Sequence, residues 1–162
     1  DGDTIFIDSG STAVNVLRHL PPRIKLTVVT HSLPAMVEAA KYDGINLISL
    51  GGAFNPATSS FVGIFAQQAL SDLRITKAFL CATGVTVESG MSNTTFLEAE
   101  IKRGVVSHAS SVILVADNSK LGHDATVTFC RLQDISTFVT DQKPAPKFVE
   151  FCRAHNIRLV WE

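Results

Sequence analysis

The stretch Thr4-Ile5-Phe6-Ile7-Asp8-Ser9-Gly10-Ser11-Thr12 decides the fold. A short run of strand-forming residues ends at an acid, a glycine permits a tight turn, and hydroxyl residues lead into Ala13, Val16, Leu17 and Leu20 at helical spacing. A strand that turns directly into a helix is half of a βαβ unit, and the rest of the chain keeps the alternation. Residues 26–29, 46–50, 77–81, 112–116, 137–139 and 158–161 read as further strands beside 4–8, several of them apolar almost throughout, as strands buried on both faces are. The expected architecture is α/β, one domain with a mostly parallel sheet and helices on both faces.

The helices follow from start and stop signals. The first is predicted to begin at Ser11 or Thr12, either of which would cap it, and to stop before Pro21-Pro22. A second follows Ser32, with Pro34 in its first turn and Leu33, Met36, Val37 and Ala40 as the inward stripe. A third covers 64–70, and a fourth starts near Thr95 with Leu97, Ile101 and Val105 on one side and Gly104 inside it. The last follows Pro146, with Phe148, Phe151 and Cys152 available to pack. Between 116 and 135 turn residues surround a β-like run at 125–129, which reads as an excursion from the sheet.

Composition narrows the function. Of 162 residues 46% are hydrophobic and 18% charged, enough apolar material for a sizeable core. Lysines and arginines total 14 against 15 acids, so the segment carries no broad cationic field and is not expected to hold DNA by itself. Apolar runs have strand length, well short of the roughly 20 residues a bilayer span requires. Cys81, Cys130 and Cys152 are too scattered for a disulfide framework and show no zinc-ligand spacing, so a reducing, cytoplasmic setting and no metal or cofactor are expected. The chain opens at Asp1 without Met or signal peptide and reads as part of something longer.

Five places carry candidate chemistry. At Asp8-Ser9-Gly10-Ser11-Thr12 the unsatisfied amides of a helix start, with the positive end of its dipole, suit a phosphate; the bland alternative is a capped helix after a glycine turn. Thr30-His31-Ser32 and Leu50-Gly51-Gly52 end the next two strands, with capping and a β-turn as the alternatives. Carboxyl ends of parallel strands share one edge, so these signals converge there. On the fourth helix, Glu98 stands three residues after Thr95 and four before Lys102, the spacing of a capping box and a surface ion pair; functionally, Glu98 would accept sugar hydroxyls and Lys102 would neutralise phosphate or an acidic neighbour. Asp117-Asn118-Ser119-Lys120-Leu121-Gly122 is either an Asx turn or an acid and an ammonium suited to a polyol phosphate. Nothing adjacent activates Lys120 as a Schiff-base nucleophile.

In series, Asp8-Ser9-Gly10-Ser11-Thr12, Val29-Thr30-His31-Ser32, Leu50-Gly51-Gly52, Glu98-Ala99-Glu100-Ile101-Lys102-Arg103 and Ala116-Asp117-Asn118-Ser119-Lys120-Leu121-Gly122 resemble the effector-sensing domain of DeoR-family transcriptional repressors. Residues 135–141 look like that family's closing Val-Thr-Asp segment. The resemblance implies a fold similar to ribose-phosphate isomerases and CoA transferases, used for sensing a phosphorylated sugar rather than for turnover, and a winged helix-turn-helix that binds operator DNA and precedes Asp1. It places Asp8, Gly10, Ser11 and Thr12 in the phosphate loop, Thr30, Ser32, Gly51 and Gly52 along the crevice, and Glu98, Lys102, Asp117 and Lys120 around it. His31 stands where the family usually has Asn, which changes the donor and acceptor pattern presented to the sugar. A sugar-phosphate isomerase or transferase is the rival, with Glu98 or Asp117 as base beside Lys120, but the isomerase pattern of an acid-rich loop followed by lysine and glycine is missing. A homo-oligomer is also expected, since 10 phenylalanines suit buried subunit contacts and paired subunits suit two-fold operators.

Overall fold

The computed structural model describes residues 2–162. In chain order its elements are β1 (Thr4–Ile7), α1 (Ser11–Arg18), β2 (Leu26–Thr30), α2 (Leu33–Ala39), β3 (Ile45–Ser49), β4 (Ala53–Asn55), β5 (Ser60–Val62) and α3 (Ile64–Ser71). They continue as β6 (Ile75–Leu80), β7 (Gly84–Thr86), β8 (Gly90–Asn93), α4 (Phe96–His108), β9 (Ala109–Val115), β10 (Val127–Cys130), β11 (Thr137–Thr140), α5 (Pro146–Ala154) and β12 (Arg158–Trp161). Seven strands pair in parallel in the order β12-β11-β9-β6-β1-β2-β3. Strands β7, β8 and β10 make a small antiparallel sheet, and β4 and β5 a hairpin.

Strand alternation shows how the sheet is covered. Ile5 and Ile7 pack with Ala13 and Leu17 of α1 and Ala35 and Ala39 of α2. Phe6 points the other way, into a larger core with Leu70 of α3, Ile101 and Val105 of α4 and Phe148 of α5. Helices therefore cover both faces, as the apolar strands require. After β1 the chain builds outward through β2 and β3, then returns to place β6 on the other side of β1 and grows through β9, β11 and β12. The direction of growth reverses between β1 and β6, and the crevice beyond the carboxyl ends of such a pair is where open parallel sheets bind ligands.

Several expectations about the helices are corrected. Gly10 is the cap residue of α1, and Ser11 and Thr12 are its first two helical residues. Helix α2 buries Ala35 and Ala39 rather than Leu33 and Val37, which are exposed, because small residues allow the helix to lie close to the sheet. Ser32 does cap it, accepting from the Ala35 N–H at 3.3 Å. In α4 Ile101 and Val105 are buried but Leu97 is exposed. Gly104 lets α3 close on α4, since a Cβ there would stand 2.7 Å from Leu70 Cδ2. The excursion after β9 holds a 3-10 turn at Asn118–Lys120 and strand β10, paired with β8 outside the main sheet. No helix among the described residues is long and apolar enough to cross a membrane.

Candidate functional site

At the carboxyl edge, between β1 and β6, lies a buried group of charges. Asp8 Oδ1 accepts the Ser9 N–H at 2.8 Å, and Oδ2 accepts the Cys81 N–H at 2.7 Å and stands 2.8 Å from Lys102 Nζ. Lys102 also donates to the Cys81 carbonyl at 2.8 Å and to Asn93 Oδ1 at 3.1 Å, so three acceptors meet its three N–H donors. Removing such an ion pair from water costs several kcal/mol per ion, and only full pairing of this kind offsets it. Glu98, one turn earlier on α4, accepts from His31 Nε2 at 3.2 Å and from Ser9 Oγ at 3.0 Å, while Ser60 Oγ donates to its other oxygen. Thr58 in turn donates to Ser60 at 2.7 Å. The His31 ring stacks on Phe6 with centroids 5.6 Å apart, and its Nδ1 has no hydrogen-bond partner among the described residues.

Local hydrogen bonds set this geometry. Thr30 Oγ1 donates to the Ile7 carbonyl at 2.6 Å and accepts the Ser32 N–H at 3.0 Å, which fixes the end of β2 and turns His31 inward. The Phe61 N–H donates to the His31 carbonyl at 2.7 Å and the Leu33 N–H to the Ser59 carbonyl at 2.9 Å, which brings Ser60 to Glu98. Gly10 permits the β1 turn to touch the end of β6, because a Cβ there would fall 2.6 Å from Cys81 Cβ and Sγ.

Burial pushes the Glu98 carboxyl up, but the His31 hydrogen bond and charge, the Ser60 hydroxyl and the Lys102 ammonium outweigh it and hold the group at about 2. Burial and the Asp8 carboxylate push the Cys81 thiol up to about 12, against the opposing pull of Lys102, so it is protonated and inert at neutral pH. The Asp8 and Glu98 oxygens and a His31 nitrogen lie within 4.8 Å of one another, close enough for a metal ion. Every one of the four oxygens already accepts a hydrogen bond, and Lys102 already neutralises Asp8, so the donor set fits an ion-paired cluster better than a metal site.

A cavity of about 300 Å³ opens over the cluster, with Ser9, Gly10, Cys81, Asn93, Glu98 and Lys102 in its walls. Through Ser9, Ala57 and Thr58 it adjoins a depression of about 470 Å³ that reaches Ser11 and Arg18 at the start and end of α1. Of the candidates from the sequence, Asp8, Thr30, His31, Ser32, Glu98 and Lys102 are buried together, and Gly10 and Ser11 form the rim. Thr12 and Asp117 line a different cavity of about 500 Å³, with Thr140 and Trp161. Gly51 and Gly52 take φ of 66° and 108° at the turn from β3 into the hairpin, and Lys120 ends the 3-10 turn. None of these three bonds to the cluster in the described contacts.

The capping box and surface ion pair expected of α4 are replaced. Thr95 makes no side-chain cap bond, and Glu98 and Lys102 both turn inward to partners far away in sequence, Glu98 to His31 and Lys102 to Asp8. Ser9, Thr58, Ser60, Cys81 and Asn93 join the site without having been candidates. Ser9 lay inside the stretch quoted first, whereas the others are fixed by contacts between distant strands that no local pattern carries.

Residues 1–142 match the family model described as the DeoR C terminal sensor domain. The HTH-type transcriptional regulator IolR of Bacillus subtilis is 36% identical over 157 residues, 97% of this chain and 62% of that protein. The lactose phosphotransferase system repressor of Staphylococcus epidermidis is 32% identical over 150 residues, 91% of this chain and 59% of that one. The transcriptional repressor AccR of Agrobacterium fabrum is 31% identical over 142 residues, 87% and 55% respectively. The chain thus spans about three fifths of the length of the curated relatives it matches. With a family match that runs from before β1 to just beyond β11 and takes in every residue of the buried cluster, the chain belongs to the DeoR C terminal sensor domains.

Proposed function

We propose that this domain binds a phosphorylated sugar or related metabolite at the β1–β6 crevice, and that occupancy controls operator binding by a DNA-binding domain elsewhere in the full-length protein. One observation carries this: the cavity at the switch point places the start of α1 beside two buried carboxylates. A ligand with two chemically distinct ends fits that division. The Ser11 and Thr12 amides, which precede the Ala13 N–H that Gly10 accepts at the start of α1, and the Ser9 and Ser11 hydroxyls suit a phosphate, while Glu98, an acceptor only, suits sugar hydroxyls. Lys102, with its donors engaged, supports the cluster rather than reaching out to the ligand.

Turnover is poorly supported by the same groups. A general base works best with a pKa near the operating pH, and Glu98 sits at about 2. The Cys81 thiol is held protonated, and Lys102 is bound on all sides. To move a quaternary equilibrium from 1:99 to 99:1, the ligand must prefer one state by roughly 5.5 kcal/mol, within reach of several charge-assisted hydrogen bonds made in that state alone. The test is a thermal-shift and calorimetric screen of pentose and hexose phosphates against their unphosphorylated parents. At least one phosphate ester should raise the melting temperature well beyond its parent, and Ser11→Ala should reduce the difference. Equal effects of ester and parent throughout the panel would overturn the proposal.

A further inference from the structure

On one sheet face the helices stop short. Helices α1 and α2 lie over β1, β2 and β3, and the core they complete contains no residue of β9, β11 or β12 among the described residues. The opposite face has no such gap, since Val112 and Leu114 of β9 and Phe138 of β11 share a core with Ile101 of α4 and Phe148 of α5. Strand register identifies what is left open. Ile7, Phe79, Ile113 and Thr137 stand in one row across β1, β6, β9 and β11, and Val115, Val139 and Val160 stand in the next, all on the side that α1 occupies. Ile113, Val139 and Val160 belong to neither core and are half-buried, and Thr12 and His19 of α1 form the near wall of this strip.

We infer that the strip seats an amphipathic helix of the same polypeptide, one that leads into β1 and lies outside these 162 residues. Its shape is the first reason. Packed helices stand about 10 Å apart, close to two strand spacings, so a helix beside α1 lies over β6 and β9 and covers Phe79, Ile113 and Val139 with its apolar stripe. Strand β9, with seven residues, is about 23 Å long and accommodates about fifteen residues of helix. Charge is the second reason. Asp117, Asp141 and Glu162 surround the carboxyl end of the strip, while Lys77 and Arg158 stand near the beginnings of β6 and β12. A helix antiparallel to the strands sets its positive N-terminus among those acids and its negative C-terminus towards the two cations. That is also the only direction from which such a helix can enter β1, because a strand is entered at its amino end. The third reason is the chain available: about two fifths of the length of the curated relatives lies outside the part matched here, and the matching model is that of a C terminal domain. A second copy fits the strip less well, since a two-fold contact would bring two sets of Asp117, Asp141 and Glu162 together.

Thiol labelling of the full-length protein and of the 162-residue chain tests this without any ligand. The background is low, because burial holds the Cys81 and Cys130 thiols protonated and Cys152 is buried. Thr137→Cys should react with a maleimide at least about tenfold more slowly in the full-length protein than in the 162-residue chain, and Val37→Cys, on the exposed side of α2, equally fast in both. Val160→Cys is a second reporter on the same strip, so the test survives if one variant fails to fold. A shortened form that keeps only about twenty residues ahead of Asp1, enough for the helix and a short loop, should protect both reporters as fully as the whole protein does. That protection should not change on dilution. Equal labelling in the long and short chains would overturn the inference. So would protection that disappears in the shortened form, which would give the strip to the DNA-binding part, or protection that fades on dilution, which would give it to a second copy.

Discussion

Two strand-end carboxylates each stand near a lysine, Asp8 in direct contact and Asp117 without an ion pair among the described residues, and their surroundings differ. Asp117 and Lys120 stand three residues apart around an exposed turn, where Asp117 accepts from the Ser119 N–H at 3.0 Å and caps the 3-10 turn. Asp8 and Lys102 are far apart in sequence, and the fold brings them to 2.8 Å with both side chains buried. Proximity along the chain therefore identified the weaker pair. What makes the Asp8–Lys102 pair matter is that burial strips both charges of most of their hydration, so each depends on the partners the fold supplies.

That contrast is broken or sharpened most directly by removing each lysine. Lys102→Met leaves the Asp8 carboxylate buried without its counter-ion, and loss of one partner of a buried pair costs about 3–5 kcal/mol. Urea unfolding should show that loss, while Lys120→Met, at a half-buried turn position with no buried counter-ion, should change stability by less than about 0.5 kcal/mol. Adding Asp8→Asn to Lys102→Met should recover part of the loss, because the orphaned charge is gone. Similar losses from the two single variants would mean that burial does not separate the two sites.

The next largest effect is a dependence on pH. Glu98 ordinarily titrates near 4.5 and in the folded protein at about 2, so its ionised form stabilises the fold fully above 4.5. That contribution is lost as pH falls from 4.5 towards 2. Glu98→Gln has no such proton to take up, so its urea midpoint should fall less steeply across this window than the wild type's. Asp117 is also lowered, chiefly by the Ser119 hydroxyl, with the same sign. Its half-buried position at a surface turn should make Asp117→Asn nearly parallel to the wild type, and parallel curves for Glu98→Gln would sink the assignment of the buried carboxylate.

The same contrast explains what could be read in advance. The seven parallel strands were legible because strands covered on both faces are apolar runs, and Ser32 because a cap is a local event. Strands β4, β5, β7 and β8 were not: each has three or four residues, and several are built from Gly, Ser, Thr and Asn without alternation. Helix α2 was rotated in the reading because large apolar residues were placed inward, whereas Ala35 and Ala39 make the close approach. For Glu98 and Lys102, i,i+4 spacing specified only that they share a helix face; whether that face meets water or Asp8 and His31 is decided by β1, β2 and β5. His31 was identifiable by its place at a strand end and Glu98 by its place on α4, but nothing local specified that the two would pair.

The smallest predicted effect probes the other side of the comparison. Asp117→Ala removes an acceptor that serves the Ser119 N–H and hydroxyl, and loss of a capping side chain typically costs about 0.5–2 kcal/mol. Here the value should lie near the lower end, since the turn has three residues, is solvent-accessible, and is also held by Asp141 Oδ1 accepting the Asn118 N–H at 2.7 Å. Water can replace the lost acceptor at the surface, as it cannot at Asp8. Asp117→Ala should therefore shift the urea midpoint slightly and leave the ligand-induced thermal shift in place, because Asp117 lines the cavity beyond β9 rather than the β1–β6 crevice. If Asp117→Ala abolished the thermal shift while Glu98→Gln preserved it, the effector would have to bind on the Asp117 side, and the buried cluster would be scaffolding alone.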